Sequence, residues 1–540
     1  MIWPNEKPKN DVDTIPTYAS GTPEREKLLK EIEAIKNRSP AEIPLIINGK
    51  EVKTDKIFEV RCPHDKDLVI ARAHLAEEDE LKEAIDAALA AHEEWANTDW
   101  YHRHAVFKRA ADLLSGPRRT RNTAAIMLNQ SKNPFEAEID LAELVDFWRF
   151  NTYYAAMLYG MQPDQFPGEL NRLDWRPLEG FVLAVPPFNF YSIAGNLPTA
   201  PAIVGNVALW KPSRSVIFSN YEIMKVLLEA GVPPGVINFV PFSSKHGDVV
   251  FDHPDFAGLH FTGSYETLVT LWNKISSNLE KYRNFPRIVG ETGGKDFTVV
   301  HKSAEPRGVA INIIRGAFGY QGQKCSALSR AYIPEGMWPA VKEIIVEELA
   351  NMTMGPTEDL NNYMGAVIDE GAYRKIVSYI DYAKEHPDEY EFIFGGNYDS
   401  SKGWFVEPTV VKTGNPKGKL MTEEIFGPVV TIYTYPDDKY DETLKLCDET
   451  SPYGLTGCVF SKDRYAALKA ERELRYSAGN FYINDKPTGA IVGRQPFGGA
   501  RASGTNDKAG TFLNILRWMS PRAIKETSVL PTDWRRPFMK

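Results

Sequence analysis

The sequence predicts an α/β protein built as two lobes, each a mainly parallel sheet covered by helices on both faces. Three observations carry this. Short apolar runs alternate with segments of helical spacing from residue 181 onward, the alternation resumes after residue 291, and 540 residues are too many for one ordinary core. Length of this order implies roughly two to four domains or lobes. Repeated strand–helix units imply parallel strands.

Residues 1–50 are polar and dotted with proline, and read as an arm over the surface. Residues 76–96 read as an amphipathic helix, with Leu81, Ile85, Ala88, Leu89 and Trp95 near one face and acids opposite. A second helix near 102–114 stops at Ser115-Gly116-Pro117. The basic run Gly116-Pro117-Arg118-Arg119-Thr120-Arg121 is short and reads as solvated loop charge. A long helix covers about 134–159, and its aromatics Phe147, Trp148, Phe150, Tyr153 and Tyr154 read as core. Strands follow at 181–185, 207–210, 236–240 and 256–261. In the second lobe come a strand at 297–300, a helix at 304–317, a strand at 329–333 and a helix at 339–351. The tail 520–540 is polar and reads as extended, a form suited to pairing with another subunit.

Composition narrows the function. A hydrophobic content of 43% and a charged content of 25% are those of a folded globular protein. The net charge of −9 gives no footprint for nucleic acid or an anionic membrane. No run of about 18 apolar residues would span a bilayer. The start, Met1-Ile2-Trp3-Pro4-Asn5-Glu6, has neither the apolar core of a secretory signal nor the character of a transit peptide. That favours the cytoplasm, with the mitochondrial matrix as the alternative. The four cysteines, Cys62, Cys325, Cys447 and Cys458, form no CxxC, which fits a reducing compartment. The ten histidines show no metal-ligand spacing, so no metal is expected.

The chemistry centres on Cys325, in Gly322-Gln323-Lys324-Cys325-Ser326-Ala327, and on Glu291, in Gly290-Glu291-Thr292-Gly293-Gly294-Lys295. A lone cysteine is usually a small apolar core residue. A cysteine beside a lysine, paired with a glutamate in a glycine-rich turn, is a candidate nucleophile with its own water-activating base. Oxidation of an aldehyde through a thioester needs that pair. The dinucleotide fingerprint GxGxxG is absent, since no two glycines stand two residues apart. Phe261-Thr262-Gly263-Ser264, after a strand and before a helix, still offers backbone N–H groups to a phosphate. A cysteine hydrolase is the rival chemistry, but no histidine base lies near these motifs. A retired, structural dehydrogenase is the non-enzymatic rival, and intact Cys325, Glu291 and Asn189 oppose it.

Further motifs occur in order: Pro187-Phe188-Asn189-Phe190, Leu209-Trp210-Lys211-Pro212-Ser213, Glu424-Ile425-Phe426-Gly427-Pro428 and Pro496-Phe497-Gly498-Gly499. Together with the three above, they make nearly the whole chain resemble the aldehyde dehydrogenase superfamily, whose members bind NAD without GxGxxG. Pro487-Thr488-Gly489-Ala490-Ile491-Val492-Gly493, Ala500-Arg501-Ala502-Ser503-Gly504-Thr505-Asn506-Asp507-Lys508 and Glu136-Ala137-Glu138-Ile139-Asp140 are similar to the 1-pyrroline-5-carboxylate dehydrogenase branch in its stand-alone form.

That resemblance implies an oxidation of L-glutamate γ-semialdehyde to L-glutamate with NAD, the second step of proline catabolism. Another short semialdehyde is the runner-up substrate. It implies Cys325 as nucleophile, Glu291 as base and Asn189 as oxyanion donor, with Lys324 helping to lower the thiol's pKa. For the cofactor it implies Lys211 on the adenine ribose, Gly263 and Ser264 near the pyrophosphate, and Glu424 and Phe426 at the nicotinamide ribose. Arg214 stands where many relatives carry an acid that disfavours a 2′-phosphate, so some tolerance of NADP is expected. Pro186 replaces a serine of some relatives. For the substrate it implies Ser326, Gly489 and Ala490 on the carboxylate, Phe190 and Phe497 around the aliphatic chain, and Lys324 as a further carboxylate partner. The implied architecture is aldehyde dehydrogenase-like: two Rossmann-type lobes and a small β oligomerisation element. The NAD-binding domain would be 1–160 with 180–295, the catalytic domain 296–505, and the oligomerisation element and tail 161–179 with 506–540. A homodimer or larger homo-oligomer is expected.

Overall fold

The computed structural model describes residues 6–38 and 40–539. The first five residues of the expected arm, and with them most of the start weighed above as a targeting signal, lie outside these, as does Lys540 of the tail.

Seven strands make the first sheet. Across it run Arg287–Glu291, Phe256–Thr262, Phe181–Val185, Val207–Trp210, Ile237–Phe239, Leu45–Ile47 and Lys50–Val52. The first five are parallel to one another; the last two form an antiparallel hairpin at the edge. From Phe181–Val185 the chain steps outward through two strands, then returns to lay Phe256–Thr262 on the opposite side. The strand order therefore reverses between these two neighbours, and a crevice opens beyond their carboxyl ends, the place where open α/β sheets bind ligands.

The second sheet runs Tyr390–Phe394, Thr409–Thr413, Val429–Tyr435, Leu328–Pro334, Asp296–Val300, Thr456–Phe460 and Asn480–Ile483. Only the Tyr390–Phe394 edge is antiparallel. Thr292-Gly293-Gly294-Lys295 alone joins Arg287–Glu291 to Asp296–Val300. The carboxyl ends of one sheet thus meet the amino ends of the other, and Cys325 lies just before Leu328–Pro334. The expected two-lobed α/β fold is the one observed.

The Pro134–Gly160 helix is the central prop. Asn133 caps it by accepting from Glu136 N, and proline occupies its first turn. Trp148 and Phe150 are fully buried, and Trp148 Nε1 donates to Thr199 Oγ1 at 3.0 Å. The Glu78–Asn97 helix opens with a capping box between Glu77 and Glu80 and buries Leu81, Ile85, Ala88 and Trp95.

Two expectations are corrected. Residues 1–50 are not simply an arm: Pro23–Asn37 is a helix that buries Leu28, Ile32 and Ile35. Its apolar residues recur at helical spacing, but only one position in three or four is apolar, so a Lys/Glu-rich composition masks them. Nor is the basic run solvated loop charge. Arg119 begins the Arg119–Gln130 helix and pairs with Asp11 at 2.8 Å and Glu138 at 2.7 Å, while Arg121 pairs with Glu31 and Glu222, both at 3.0 Å. The tail is extended as expected: Met519–Thr527 pairs antiparallel with Glu169–Pro177. Among the described residues no helix is long and apolar enough to cross a membrane.

Because Ile32 docks the Pro23–Asn37 helix, Ile32→Ala should cost about 2–5 kcal/mol of stability. Urea unfolding of the variant against the wild type measures this.

Candidate active site

Cys325 stands where two cavities meet. One, of about 460 Å³, is the crevice at the strand-order reversal, lined by Val185, Pro187, Asn189, Gly263, Ser264 and Glu424 among others. The other, of about 370 Å³, is lined on one side by Phe190, Glu291, Ser326 and Phe497 and on another by Thr488, Gly489 and Ala490. Cys325 and Thr262 line both. A group in the crevice and a group in the cavity therefore reach the same sulfur.

The loop before Cys325 is wound tightly. Tyr320 and Gln321 both adopt positive φ, 48° and 53°, a conformation that persists only where the surroundings enforce it. Gln321 Nε2 enforces it by donating to Ser131 O at 2.9 Å and Ala366 O at 2.8 Å. Asn189 Nδ2 donates to Gln323 O at 3.0 Å. A primary amide has two N–H groups, so one remains for a ligand beside Cys325.

Glu291 ends the Arg287–Glu291 strand. Its Oε2 accepts from Gly499 N at 3.2 Å, while Oε1 is buried without a partner. Burial pushes this carboxyl well above the usual 4.5. The strand end is clamped: Thr292 N donates to Ser503 O at 3.0 Å, and Ser503 Oγ to Gly293 O at 2.7 Å. Glu424 Oε1 accepts from Gly294 N at 2.9 Å. A Cβ on Gly293 would stand 2.0 Å from that carboxylate, so only glycine allows the approach.

Burial also raises the Cys325 thiol well above 9, and the carboxylates of Asp296, Glu424 and Glu291 add to the rise. The expected help from Lys324 is not there: its ammonium pairs with Glu136 at 2.7 Å. That ion pair spans the fold and leaves no sequence signal at Lys324. Lys295, by contrast, is fully buried, held down to about 7 by burial and by Arg330, with no hydrogen-bond partner at Nζ.

The remaining expected residues divide between the two cavities. Ser326, Gly489, Ala490, Phe190, Phe497 and Lys324 line the one with Glu291; Gly263, Ser264, Glu424, Phe426 and Asn189 line the crevice. Lys211 lines neither, and its ammonium lies over the Phe242 ring, 5.3 Å from the centroid. Ser326 Oγ is 2.8 Å from Thr488 Oγ1, and Arg315 and Lys486 join the same wall. Thr488, Arg315 and Lys486 were not singled out from sequence. Thr488 was findable beside Gly489, while Arg315 sits in an ordinary helix and gave no sign.

Residues 50–522 match the Aldehyde dehydrogenase family, and the chain belongs to that family. Within it, several relatives matched along nearly their whole length are named delta-1-pyrroline-5-carboxylate dehydrogenase. The one of Agaricus bisporus is 49% identical over 524 residues, covering 96% of each chain. The human mitochondrial one is 46% identical over 526 residues, covering 97% of this chain and 93% of its own. The crystal structure of the Mycobacterium tuberculosis enzyme bound with NAD superposes with a TM-score of 0.96 at 46% identity, covering 100% of this chain and 99% of that one.

With its thiol held above 9, Cys325 should be alkylated by iodoacetamide at a rate still rising as the pH passes 9. Rate constants for the wild type, with Cys325→Ala as blank, give the titration directly. A plateau reached near neutral pH would contradict the burial argument.

Proposed function

We propose that this chain oxidises L-glutamate γ-semialdehyde, the open form of 1-pyrroline-5-carboxylate, to L-glutamate with NAD, in the second step of proline catabolism. One observation carries the reading: a single half-buried cysteine is shared by a crevice at a strand-order reversal and a cavity with a glycine-bearing loop. The names of the relatives and the NAD-bound neighbours support the substrate and cofactor. The crevice suits a dinucleotide in position, and the Gly263–Ser264 turn precedes the Tyr265–Ser277 helix, whose amino end favours a phosphate.

In this reading the Cys325 thiolate attacks the aldehyde carbon. The free N–H of Asn189 and the backbone N–H of Cys325 stabilise the oxyanion. NAD, when bound, is the hydride acceptor. Glu291 removes a proton from the water that hydrolyses the thioester on Cys325. Ser326 and the backbone N–H groups of Gly489 and Ala490 hold the substrate carboxylate, for which close N–H approach suits. Phe190 and Phe497 flank the aliphatic chain, and Lys324, paired with Glu136, is a further partner for the carboxylate. Lys211, Glu424 and Phe426 serve the two riboses. Lys211 is lowered to about 8, by burial and then by Arg214; Arg214 itself, a cation in place of an acid, keeps tolerance of NADP in the reading.

Residues 1–160 with 180–295 would form the cofactor lobe and 296–505 the catalytic lobe. The four free cysteines support a reducing compartment, cytosol or mitochondrial matrix. The ribbon of Glu169–Pro177 and Met519–Thr527 supports a homo-oligomer: two strands are marginal alone, and Phe166, Leu170, Val529, Leu530 and Trp534 are exposed around it.

NADH absorbance with 1-pyrroline-5-carboxylate tests the chemistry. Cys325→Ala should abolish activity. Glu291→Gln should slow turnover by about 10²–10⁴ while leaving a single-turnover burst of NADH, because only hydrolysis needs the base. Deleting residues 519–540 should yield a smaller species in sedimentation with an intact monomer fold by circular dichroism.

A further inference from the structure

The segment from Lys7 to Asp13 lies across the turn that follows Gly489 and Ala490. Lys7 Nζ donates to Gly493 O at 3.0 Å. Asn10 Nδ2 donates to Val492 O at 2.8 Å and to Asp146 Oδ2 at 3.0 Å. Asp11 N donates to the other oxygen of Asp146 at 2.6 Å. Asp13 pairs with Arg494. Val12, between these contacts, lines the cavity that holds Cys325.

The turn itself is closed by few bonds of its own. Ile491 O accepts from Arg494 N at 2.9 Å and from Gln495 N at 3.0 Å, and Ile491 N donates to Gln495 Oε1 at 3.0 Å. Its floor is the Pro134–Gly160 helix: Val492 packs on Phe147 and Phe150, and Gly493, at φ 79°, sits so close to the Phe150 ring that a Cβ would stand 2.3 Å away. The helix supports the turn from below, and the Lys7–Asp13 segment holds it down from above. Asn10 is buried, and its one amide bridges the two, donating to a helix carboxylate and to a turn carbonyl. Buried backbone carbonyls need such partners. Val492 O finds this one across more than four hundred residues of sequence.

We infer that residues 7–13 are a strap that sets the position of the substrate-carboxylate loop, with Asn10 as the positioning residue. The inference rests on the proposed role of Gly489 and Ala490. Asn10 touches no reacting atom and lies apart from the cofactor crevice. Its loss therefore misplaces the carboxylate site while sparing the nucleophile and the dinucleotide. A misplacement of about 1 Å in a binding site costs up to about a hundredfold.

The test compares full-length wild type, Asn10→Ala, the milder Lys7→Ala, and Ser326→Ala. Four quantities are read: KM for the semialdehyde, KM for propanal, NAD affinity from tryptophan fluorescence, and deuterium uptake by the amides of 489–494. Asn10→Ala is expected to speed uptake in 489–494 and to raise KM for the semialdehyde about tenfold to a hundredfold. KM for propanal, which has no carboxylate, and NAD affinity are expected to stay as in the wild type. Lys7→Ala is expected to move the same two readouts less, and it keeps the test open if Asn10→Ala folds poorly. Unchanged uptake in both strap variants overturns the strap. Faster uptake with KM raised equally for both aldehydes, or for neither while Ser326→Ala raises the semialdehyde KM, overturns the positioning role. A Ser326→Ala enzyme with unaltered semialdehyde KM instead overturns the carboxylate assignment on which the inference rests.

Discussion

One ion pair buried at the centre of the molecule holds the pieces of the site in register. Lys132 and Asp140 are both about 1% exposed, with Nζ and Oδ2 2.5 Å apart. Asp140 also accepts from Tyr191 N and Ser192 N, the first amides of the Tyr191–Ile203 helix. Lys132 also donates to Asn189 O at 2.8 Å and lies over the rings of Phe190 and Tyr320 at 4.9 and 4.4 Å. The pair thus ties the central helix to the Asn189 loop, a helix start and the wound loop before Cys325. Burying two charges is costly, and the cost is offset only where every remaining hydrogen-bonding position is used. Here nearly every one is. Removing one partner would leave the other charge unpaired, at about 3–5 kcal/mol, and would release three active-site segments together.

The electrostatics around the sulfur follow from the same burial. Glu291, Asp296 and Glu424 all act on Cys325, and each is pushed above its ordinary range, burial being the first cause. Lysines close by do not counter them: Lys324 is matched by Glu136, and Lys295 is itself lowered to about 7. Burial and the three acids therefore act on the thiol in one direction, toward its protonated form.

Features with local determinants are legible in the sequence. Strands such as Phe181–Val185 and Val207–Trp210 are short uninterrupted apolar runs, which is how doubly covered parallel strands appear. Residues that line the two cavities cluster in motifs because loops at sheet ends are short. What escaped was set by partners remote in sequence. Arg119 looks like loop charge until Asp11 and Glu138 arrive from two other segments, and Lys324 looks available until Glu136 claims it. The Pro23–Asn37 helix escaped for a different reason. Three buried apolar residues among lysines and glutamates suffice to dock one face, too few to stand out from a polar composition.

The ends of the chain close the middle. The four-residue link between the sheets would be free to hinge were it not braced from the 502–505 segment. Thr505 binds Gly290 in both directions, its hydroxyl 3.0 Å from Gly290 N and its amide donating to Gly290 O at 2.8 Å. Ser503 holds Thr292 and Gly293. From the other end, Asn10 and Lys7 hold the 492–493 carbonyls. Both braces act on backbone groups beside the two cavities rather than on reacting side chains. A site shared by two lobes cannot be made rigid by either lobe alone, because each sheet fixes only its own strand ends. Cross-bonds from distant sequence supply the missing constraint, so the Cys325 cavity depends on segments that never touch the sulfur.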